Sequence, residues 1–410
     1  MAATARSMTA TITTRGERVK ASRMGRLAAL GVAALCVAGS IHTANATPVA
    51  GPLQLTLPPP TGPRSVGTVS LHLVDPSRHD PTGAQNALRG LMISLWYPTS
   101  RIGGYPVAPW LPAGAATRFL ADNGLTPGQV RVPLTHGHEG APVDRHEGRL
   151  PIVVYSPGHG SVRSANTVVV EELASRGYLV VTIDHTYDAE AVEFPDGHVV
   201  PGLPDGMVAD PARTRVADTR FVLDQLRLLD TGGNPDAEHR RLPDGLRGSL
   251  DLCRIGMFGE SAGGSATANT MFEDQRIRAG LSMDGPMFGP VVTGGLDRPF
   301  LLMDADRTSR KLLADQQTFW SNLRGWRLNT GLPGAAHVSY GDEELLVPQI
   351  APLLGWSQAE IDKQIGTLRP QRVEAVQRAY PLAFFDLTLR HQGHLLDGPS
   401  PRYPEVTFLP

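Results

Sequence analysis

Short apolar runs alternate with amphipathic segments from residue 150 to near the C terminus, and this is the clearest pattern in the chain. Runs such as LPIVVYSPG (150–158) and YLVVTIDH (178–185) are apolar at successive positions, as is typical of parallel strands covered on both faces. The segments between them place apolar residues at helical spacing. The pattern therefore predicts a mostly parallel central sheet with helices on both faces. The predicted strands are 150–158, 178–185, 253–259, 277–284, 298–306 and 327–334, and the predicted helices are 164–177, 210–230, 261–272, 310–326 and 372–391.

The chain before residue 150 has a different pattern. Residues 66–75 and 89–98 alternate between apolar and polar positions or are continuously apolar, which predicts two antiparallel strands at the N-terminal end of the fold. The loop-rich stretch after them contains a short predicted helix at 115–123. Residues 47–65 are rich in proline and predict an extended lead-in. We expect residues 66–410 to form a single domain.

The first 46 residues have the organisation of a secretory signal peptide. Basic residues precede the apolar run LAALGVAALCVAG (27–39), and the tripeptide ANA follows at 44–46. A membrane anchor is disfavoured because the run is shorter than the roughly 20 apolar residues that span a bilayer. We therefore expect cleavage near Ala46 and a secreted, extracellular protein.

Composition and charge exclude some classes of partner. The chain is 41% hydrophobic and 19% charged, which is sufficient for a globular core. Loss of residues 1–46, which carry six basic and one acidic side chain, lowers the formal charge from −2 to −7. Such a chain lacks the basic surface that neutralises phosphates, so we expect no nucleic-acid partner. Cys253 is the one cysteine that remains, which excludes an intramolecular disulfide. We predict no cofactor, no metal and no obligate protein partner.

A candidate nucleophile lies between a predicted strand and a predicted helix. The segment Gly259-Glu260-Ser261-Ala262-Gly263 fits the G-x-S-x-G pattern of a nucleophile elbow, in which a sharp turn presents the serine. The small neighbours meet the steric demand of such a turn. A serine at a helix N-terminus also lets backbone N–H groups face developing negative charge, and Ala262 supplies one of them. The alternative is an ordinary small-residue bend.

The serine requires a base, and in folds with this elbow the chain order is serine, acid, histidine. Three histidines lie downstream. His337 is in a small-residue loop directly after the last predicted strand, from which it can reach the elbow. His391 and His394 follow the final predicted helix, and without acidic or cysteine ligands nearby we interpret them as solvated loop residues. We therefore choose His337 as the base.

The acid and the second oxyanion donor follow other predicted strands. Asp284 and Asp306 each end a strand. The general hydrolase pattern often places the acid after the strand that precedes the histidine strand, which would favour Asp306. Either aspartate could also be a turn or helix-cap residue, and periodicity does not separate them. The Gly-rich turn after the strand 150–158 lets a backbone donor approach a substrate oxygen. The N–H of His159, which lies between two glycines, is the best placed of these donors.

Six segments carry a family resemblance. They are, in order, LPPPTGPRSVGTVSLHLVDPSRHDP, WYP, VVYSPGHGSVRS, GMFGESAGGSATA, GLSMDGPMFG and PGAAHVSYGD. Together they resemble the platelet-activating factor acetylhydrolase family of the plasma and group II type, and the resemblance extends from about residue 57 to residue 408, nearly the whole mature chain. The bacterial secreted relatives of this family are usually described as lipases or acetylhydrolases, and the resemblance implies the α/β-hydrolase fold.

The resemblance implies a role for each candidate. The family's acid follows the strand after the nucleophile helix, in a setting that matches Leu281, Asp284, Met287 and Phe288, so the resemblance selects Asp284. The remaining roles would fall to Ser261 as nucleophile, His337 as base, and the backbone N–H groups of Ala262 and His159 as the oxyanion hole.

This sequence departs from the family at two positions. Glu260 stands where the family has histidine before the nucleophile, and Pro157 replaces histidine in the family's Ser-His-Gly turn. Both changes alter the rim of the pocket, so the family's preference for short acyl chains on phospholipids does not transfer automatically.

We expect a secreted serine ester hydrolase of the lipase or acetylhydrolase type. Its substrates would be ester bonds of lipids or phospholipids, with short acyl chains and transient contact with a lipid interface. One alternative is a cutinase-like or polyester-degrading hydrolase with the same three residues. A second alternative, an inactive binding protein of the same fold, is disfavoured because no member of the triad is missing.

Overall fold

The apolar runs of the sequence form the middle of an eleven-stranded sheet in the computed structural model of the chain. The structure describes residues 51–80, 82, 87–126, 128–146, 148–204, 207–208, 210–306 and 314–409, so the expected signal peptide (1–46) lies outside the described residues. The strands are β1 Leu53–Gln54, β2 Ser65–His79, β3 Leu88–Thr99, β4 Val107–Pro109, β5 Val130–Arg131, β6 Leu134–Glu139, β7 Leu150–Ser156, β8 Leu179–Asp184, β9 Ala191–Glu193, β10 Val199–Pro201, β11 Leu250–Glu260, β12 Ile277–Met283, β13 Phe300–Asp304, β14 Arg327–Gly331 and β15 Thr407–Leu409. The α-helices are α1 Ala113–Asp122, α2 Thr167–Ser175, α3 Pro211–Asp230, α4 Ala262–Glu273, α5 Val291–Gly294, α6 Ala314–Asn322, α7 Glu343–Ile350, α8 Gln358–Ile365 and α9 Pro370–Phe385.

The large sheet has a parallel centre and antiparallel margins. Its strand order is β15-β14-β13-β12-β11-β7-β8-β3-β2-β6-β4, and the six strands from β14 to β8 are parallel. β3 is antiparallel to both β8 and β2, and β15 is antiparallel to β14. The predicted fold class, an α/β-hydrolase fold with antiparallel N-terminal strands, is confirmed.

The central strands are buried on both faces because helices cover each side. Along β7, Ile152 and Val154 face one core cluster while Val153 and Tyr155 face the other, as the two-residue period of a strand requires. Helices α3, α4 and α6 contribute to the first cluster, and α2 and α9 contribute to the second. This burial explains why the strands are apolar at successive positions.

The predicted helix 310–326 is wrong at its C-terminal end. Helix α6 ends at Asn322, and residues 323–326 form a loop. Gly325 explains the break, because a Cβ at this position would lie 2.6 Å from the carbonyl oxygen of Asp297. At Gly325 the chain therefore passes too close to the backbone of Asp297 for the helix to continue. The first residues of the predicted helix, 310–313, lie outside the described residues.

Helices α7 and α8 follow the parallel strands and were not predicted as separate elements. The Leu-rich segment at 345–356 could form either a lid or a packed helix. In the structure Leu346 and Ile350 of α7 are buried in a third core cluster, whereas Leu353 is half exposed. Among the residues that the structure describes, no helix combines the length and apolar character needed to cross a membrane.

Candidate active site

Ser261 lies in a strained turn between β11 and α4. Its backbone has φ 52° and ψ −121°, a conformation that non-glycine residues adopt at a cost of about 1–3 kcal/mol. Two glycines make the turn sterically feasible. A Cβ on Gly259 would lie 2.2 Å from the carbonyl carbon of Gly263, and one on Gly263 would lie 1.9 Å from the carbonyl oxygen of Ser156. The turn therefore holds the serine side chain at the C-terminal end of a central strand.

His337 is hydrogen bonded to the serine. It begins a 3-10 turn, His337–Tyr340, and its Nε2 lies 2.9 Å from the Oγ of Ser261. The turn is fixed by its own side chains. The Ser339 hydroxyl donates to the carbonyl of Ile365 at 2.7 Å, and the Tyr340 hydroxyl donates to the carbonyl of Asp304 at 3.0 Å. The imidazole is thus held in place while remaining 22% exposed.

Asp284 is the acid that the structure places beside the histidine. Its Oδ2 is 2.6 Å from the Nδ1 of His337, and its Oδ1 accepts a hydrogen bond from the N–H of Ala305 at 3.0 Å. The carboxylate is buried, and the residue has a positive φ of 48°. Asp306, the other candidate, accepts from the N–H of Gly334 at 3.1 Å. The geometry therefore favours Asp284.

The turn after β7 packs directly against the elbow. The close approach of Gly263 to Ser156 and Pro157 brings the two segments into contact. His159, the predicted oxyanion residue, lies in this turn with its imidazole 57% exposed and its Nδ1 2.9 Å from Asp188 Oδ1. Ala262, the other predicted donor, is the first residue of α4.

Glu260 contacts both the turn after β7 and the imidazole of His337. Its Oε2 accepts a hydrogen bond from the N–H of Gly158 at 3.0 Å, and its Oε1 lies 3.7 Å from Nε2 of His337. Burial raises the pKa of Glu260 above its ordinary value, although the neighbouring imidazole and the Gly158 amide oppose the rise. A carboxylate at this position would stabilise a protonated His337.

The two other downstream histidines, His391 and His394, lie at the surface. The Nδ1 of His394 is 3.0 Å from Asp397 on the surface, and His391 is exposed. Within the described part of the chain, no three His, Cys, Asp or Glu side chains gather as a metal site would require. The arrangement of Ser261, His337 and Asp284 can activate a hydroxyl as a nucleophile without a bound ion.

Sequence reasoning missed Arg215, which is fully buried behind the turn that contains His159. The sequence did contain an indication of this burial. In α3, Arg215 lies at helical spacing from Val222, Leu226 and Leu229, and so on the same face as these apolar residues. A charged residue in phase with a buried stripe indicates an internal ion pair.

Comparisons with known proteins bear on the family and the fold. The family model for platelet-activating factor acetylhydrolase, isoform II, matches residues 50–194. A probable 1-alkyl-2-acetylglycerophosphocholine esterase from Arthroderma benhamiae is 30% identical over 401 residues, which cover 89% of this chain and 97% of that protein. The platelet-activating factor acetylhydrolase of Cavia porcellus is 27% identical over 286 residues, 61% of each chain. The solved structure of a ferulic acid esterase from Streptomyces cinnamoneus is similar with a TM-score of 0.72 and 35% identity, covering 87% of this chain and 99% of that one.

Proposed function

The chain belongs to the platelet-activating factor acetylhydrolase family and is an ester hydrolase, and from this premise we propose that it is a secreted serine hydrolase that forms an acyl-enzyme on Ser261. The observation that carries the proposal is the hydrogen-bonded series from Ser261 through His337 to Asp284, with distances of 2.9 and 2.6 Å. These distances suit transfer of the serine proton to the imidazole.

The proposed reaction follows from these contacts. His337 Nε2 takes the proton of Ser261 as the oxygen attacks the ester carbonyl, and Asp284 orients and stabilises the resulting imidazolium. The backbone N–H groups of Ala262 and His159 hold the tetrahedral oxyanion, a contribution of about 3–4 kcal/mol per donor in comparable sites. The imidazolium then protonates the leaving alcohol, and a water activated by His337 releases the acid.

The substrate we propose is the acetyl or other short acyl ester of a phospholipid. Its support is the Arthroderma relative, whose name specifies a 2-acetylglycerophosphocholine and to which this chain is similar over nearly its full length. A phenolic-acid ester is the second candidate, supported by the ferulic acid esterase to which this chain is 35% identical. A polyester remains the third class to test.

We further propose that residues 1–46 direct secretion and are removed, so that the enzyme meets its substrate outside the cell. The support is the order of basic, apolar and small residues in this segment. N-terminal sequencing of protein recovered from culture medium tests this proposal. A start near Thr47 is expected, and retention of the full segment on secreted protein would contradict it.

The proposed mechanism is tested by replacing Ser261 and measuring hydrolysis of p-nitrophenyl acetate by the purified mature chain. Ser261→Ala should lower kcat/KM at least ~10⁴-fold because it removes the hydroxyl on which the acyl-enzyme forms. Ser265→Ala is the matched control, since this serine is buried in the same helix. Turnover by Ser261→Ala close to that of the control would exclude the mechanism.

A substrate panel decides between the ester classes. Initial rates on an sn-2 acetyl phospholipid, a ferulate ester and a polyester film are compared, each for wild type and Ser261→Ala. We expect the largest Ser261-dependent kcat/KM on the acetyl phospholipid. A higher value on the ferulate ester would assign the chain to the second candidate.

A further inference from the structure

Arg215 is a buried arginine whose donors converge on the turn beside the elbow. From helix α3 its Nη1 donates to the carbonyl of Pro157 at 2.5 Å, and its Nη2 donates to the carbonyl of Gly158 at 2.9 Å. Nη1 also donates to Ser156 Oγ at 3.2 Å, and Nε donates to Asp188 Oδ2 at 2.6 Å. Two of its four acceptors thus belong to the turn, and a third, Ser156, is the strand residue directly before it.

The hydrogen bond from Arg215 to the Gly158 carbonyl fixes the orientation of the peptide group between Gly158 and His159. This carbonyl and the N–H of His159 belong to one trans peptide group, in which C=O and N–H point in opposite directions. Because Arg215 is buried, a carbonyl aimed at its guanidinium turns the N–H of His159 away from the interior. That N–H is the donor assigned above to the oxyanion.

Two carboxylates fix the amides on either side of His159. Glu260 accepts the N–H of Gly158 at 3.0 Å, and Asp188 accepts the N–H of Gly160 at 3.2 Å. Although burial opposes ionisation of Asp188, Arg215 and the bond from His159 hold its pKa well below the ordinary value. The carboxylate is therefore charged at neutral pH and pairs with Arg215.

A second series of hydrogen bonds supports Arg215 from behind. Ser156 Oγ accepts from Arg215 and lies 2.9 Å from Nε2 of His185, whose Nδ1 lies 2.9 Å from Asp218 Oδ2. Burial lowers the pKa of His185, so its neutral ring accepts from Ser156 and donates to Asp218. All three side chains are buried, and Ser156 is therefore closed to substrate.

We propose that Arg215 is a positioning residue for ester hydrolysis, which sets the direction of the His159 N–H through its bonds to the carbonyls of Pro157 and Gly158. The inference rests on the proposed function, because it assumes that this N–H binds the oxyanion. Arg215 acts through the turn and not on the substrate. Its loss should therefore lower the rate of the chemical step more than it weakens substrate binding.

The test compares Arg215 with a matched arginine elsewhere in the chain. Arg378 is also buried, donates to the carbonyls of Pro58 and Pro59 at 2.9 and 2.7 Å, and pairs with Glu172 at 3.2 Å. It holds two carbonyls as Arg215 does, but in the N-terminal lead-in. Arg215→Met and Arg378→Met each remove a buried guanidinium, so both should lower Tm.

Two measurements separate a positioning role of Arg215 from a role in stability alone. The first is steady-state kinetics on p-nitrophenyl acetate. The second is inhibition by a trifluoromethyl ketone, whose hydrate mimics the oxyanion. Arg215→Met should lower kcat about 100-fold with KM within about threefold, the scale of losing one oxyanion donor. Its affinity for the ketone should fall in parallel. Arg378→Met should keep both values close to wild type. Equal kcat in the two variants would overturn the proposal.

Arg215→Lys covers the case in which Arg215→Met does not fold. A lysine can reach one carbonyl but cannot hold two in a fixed plane, so kcat should fall about tenfold at unchanged KM. A kcat equal to wild type would again overturn the proposal.

Failure of this inference is distinguishable from failure of the proposed function. Fluorophosphonate labelling of wild type, with the adduct located by mass spectrometry, reports on Ser261 alone. If Ser261 is labelled but Arg215→Met retains wild-type kcat, only the positioning role is lost. If Ser261 is not labelled, the serine mechanism itself is wrong.

Discussion

Among the residues that the structure describes, two hydrogen-bonded series of serine, histidine and aspartate have similar distances but differ in exposure and in electrostatic surroundings. In the first, Ser261, His337 and Asp284 are joined at 2.9 and 2.6 Å, and in the second, formed by Ser156, His185 and Asp218, both distances are 2.9 Å. His337 is 22% exposed, whereas His185 is 1% exposed. Hydrogen-bond geometry alone therefore does not identify a nucleophile.

The two series also differ in their electrostatic surroundings. The exposed series has an additional carboxylate, Glu260, at 3.7 Å from the imidazole. The buried series is surrounded by guanidinium groups, with Arg89 and Arg78 each donating to Asp218 at 2.7 Å. A carboxylate stabilises an imidazolium while guanidinium groups oppose one. The first series is arranged to accept a proton, and the second is arranged to remain neutral.

The largest contrast should come from removing each histidine. His337→Ala should lower kcat/KM at least ~10⁴-fold and change the free energy of unfolding by less than about 1 kcal/mol, because the ring is partly exposed. His185→Ala should lower the free energy of unfolding by about 3 kcal/mol, because it removes one buried hydrogen-bond partner from Ser156 and one from Asp218 and leaves a cavity where the ring was. Kinetics and urea denaturation of both variants provide the measurement. A similar loss of activity in the two variants would remove the distinction between the series.

The next contrast concerns the acid. Asp284→Asn should lower kcat about 10³- to 10⁴-fold, since an amide favours the wrong histidine tautomer. Asp306→Asn is the matched control, because Asp306 ends the neighbouring segment and bonds the N–H of Gly334. Rates at saturating p-nitrophenyl acetate compare them. If Asp306→Asn were the more damaging change, the role of acid would move to Asp306.

The carboxylate that distinguishes the exposed series should have a smaller effect. Glu260→Gln should lower kcat about three- to tenfold because the imidazolium loses a nearby negative charge. Because burial raises the pKa of Glu260 in the native state, ionisation of this carboxyl costs wild type stability as pH rises from the unfolded-chain pKa through the raised one. Glu260→Gln should therefore raise Tm relative to wild type at pH 8 and match it at pH 4. Scanning calorimetry at both values is the measurement, and a lower Tm for the variant at pH 8 would contradict the assignment.

The smallest expected effect is the pH dependence due to the buried histidine. Burial lowers the pKa of His185, so below the ordinary histidine pKa of about 6.5 the unfolded chain binds a proton that the native state does not. Stability should therefore fall as pH drops from 6.5 to 5, and His185→Gln should lack this slope. Urea titrations at the two pH values test it. The same slope in both proteins would place the titrating group elsewhere.

Much of the fold followed from the sequence because the central strands are apolar at successive positions and the helices between them are amphipathic. The family resemblance carried by the motifs is confirmed by the similarity to the Arthroderma relative across 97% of its length. The extent of helix 310–326 was wrong, because the close approach of the Gly325 backbone to Asp297 involves residues distant in the chain. The domain limits and the signal peptide stay predictions.

The site was less predictable because it depends on strand order. Asp284 and Asp306 both follow apolar strands, and the sequence does not state that β12 is the direct neighbour of β11 while β13 is one strand further away. That adjacency favours Asp284. Arg215 was missed for a similar reason, since its acceptors at Ser156, Pro157 and Gly158 are 57 to 59 residues away in the chain and meet it only in the folded molecule.

Ser261 and Asp284 are held by the same kind of backbone hydrogen bond, and this bears on how the enzyme is inactivated by heat. Each is the first residue after its strand, has a positive φ, and donates its N–H to the next strand, Ser261 to Met283 at 2.9 Å and Asp284 to Met303 at 2.7 Å. These bonds continue the hydrogen bonding of the central strands, and core strands are typically among the last parts of a domain to open. We therefore expect the nucleophile and the acid to stay together until the domain unfolds. Thermal inactivation should therefore coincide with global unfolding and not precede it.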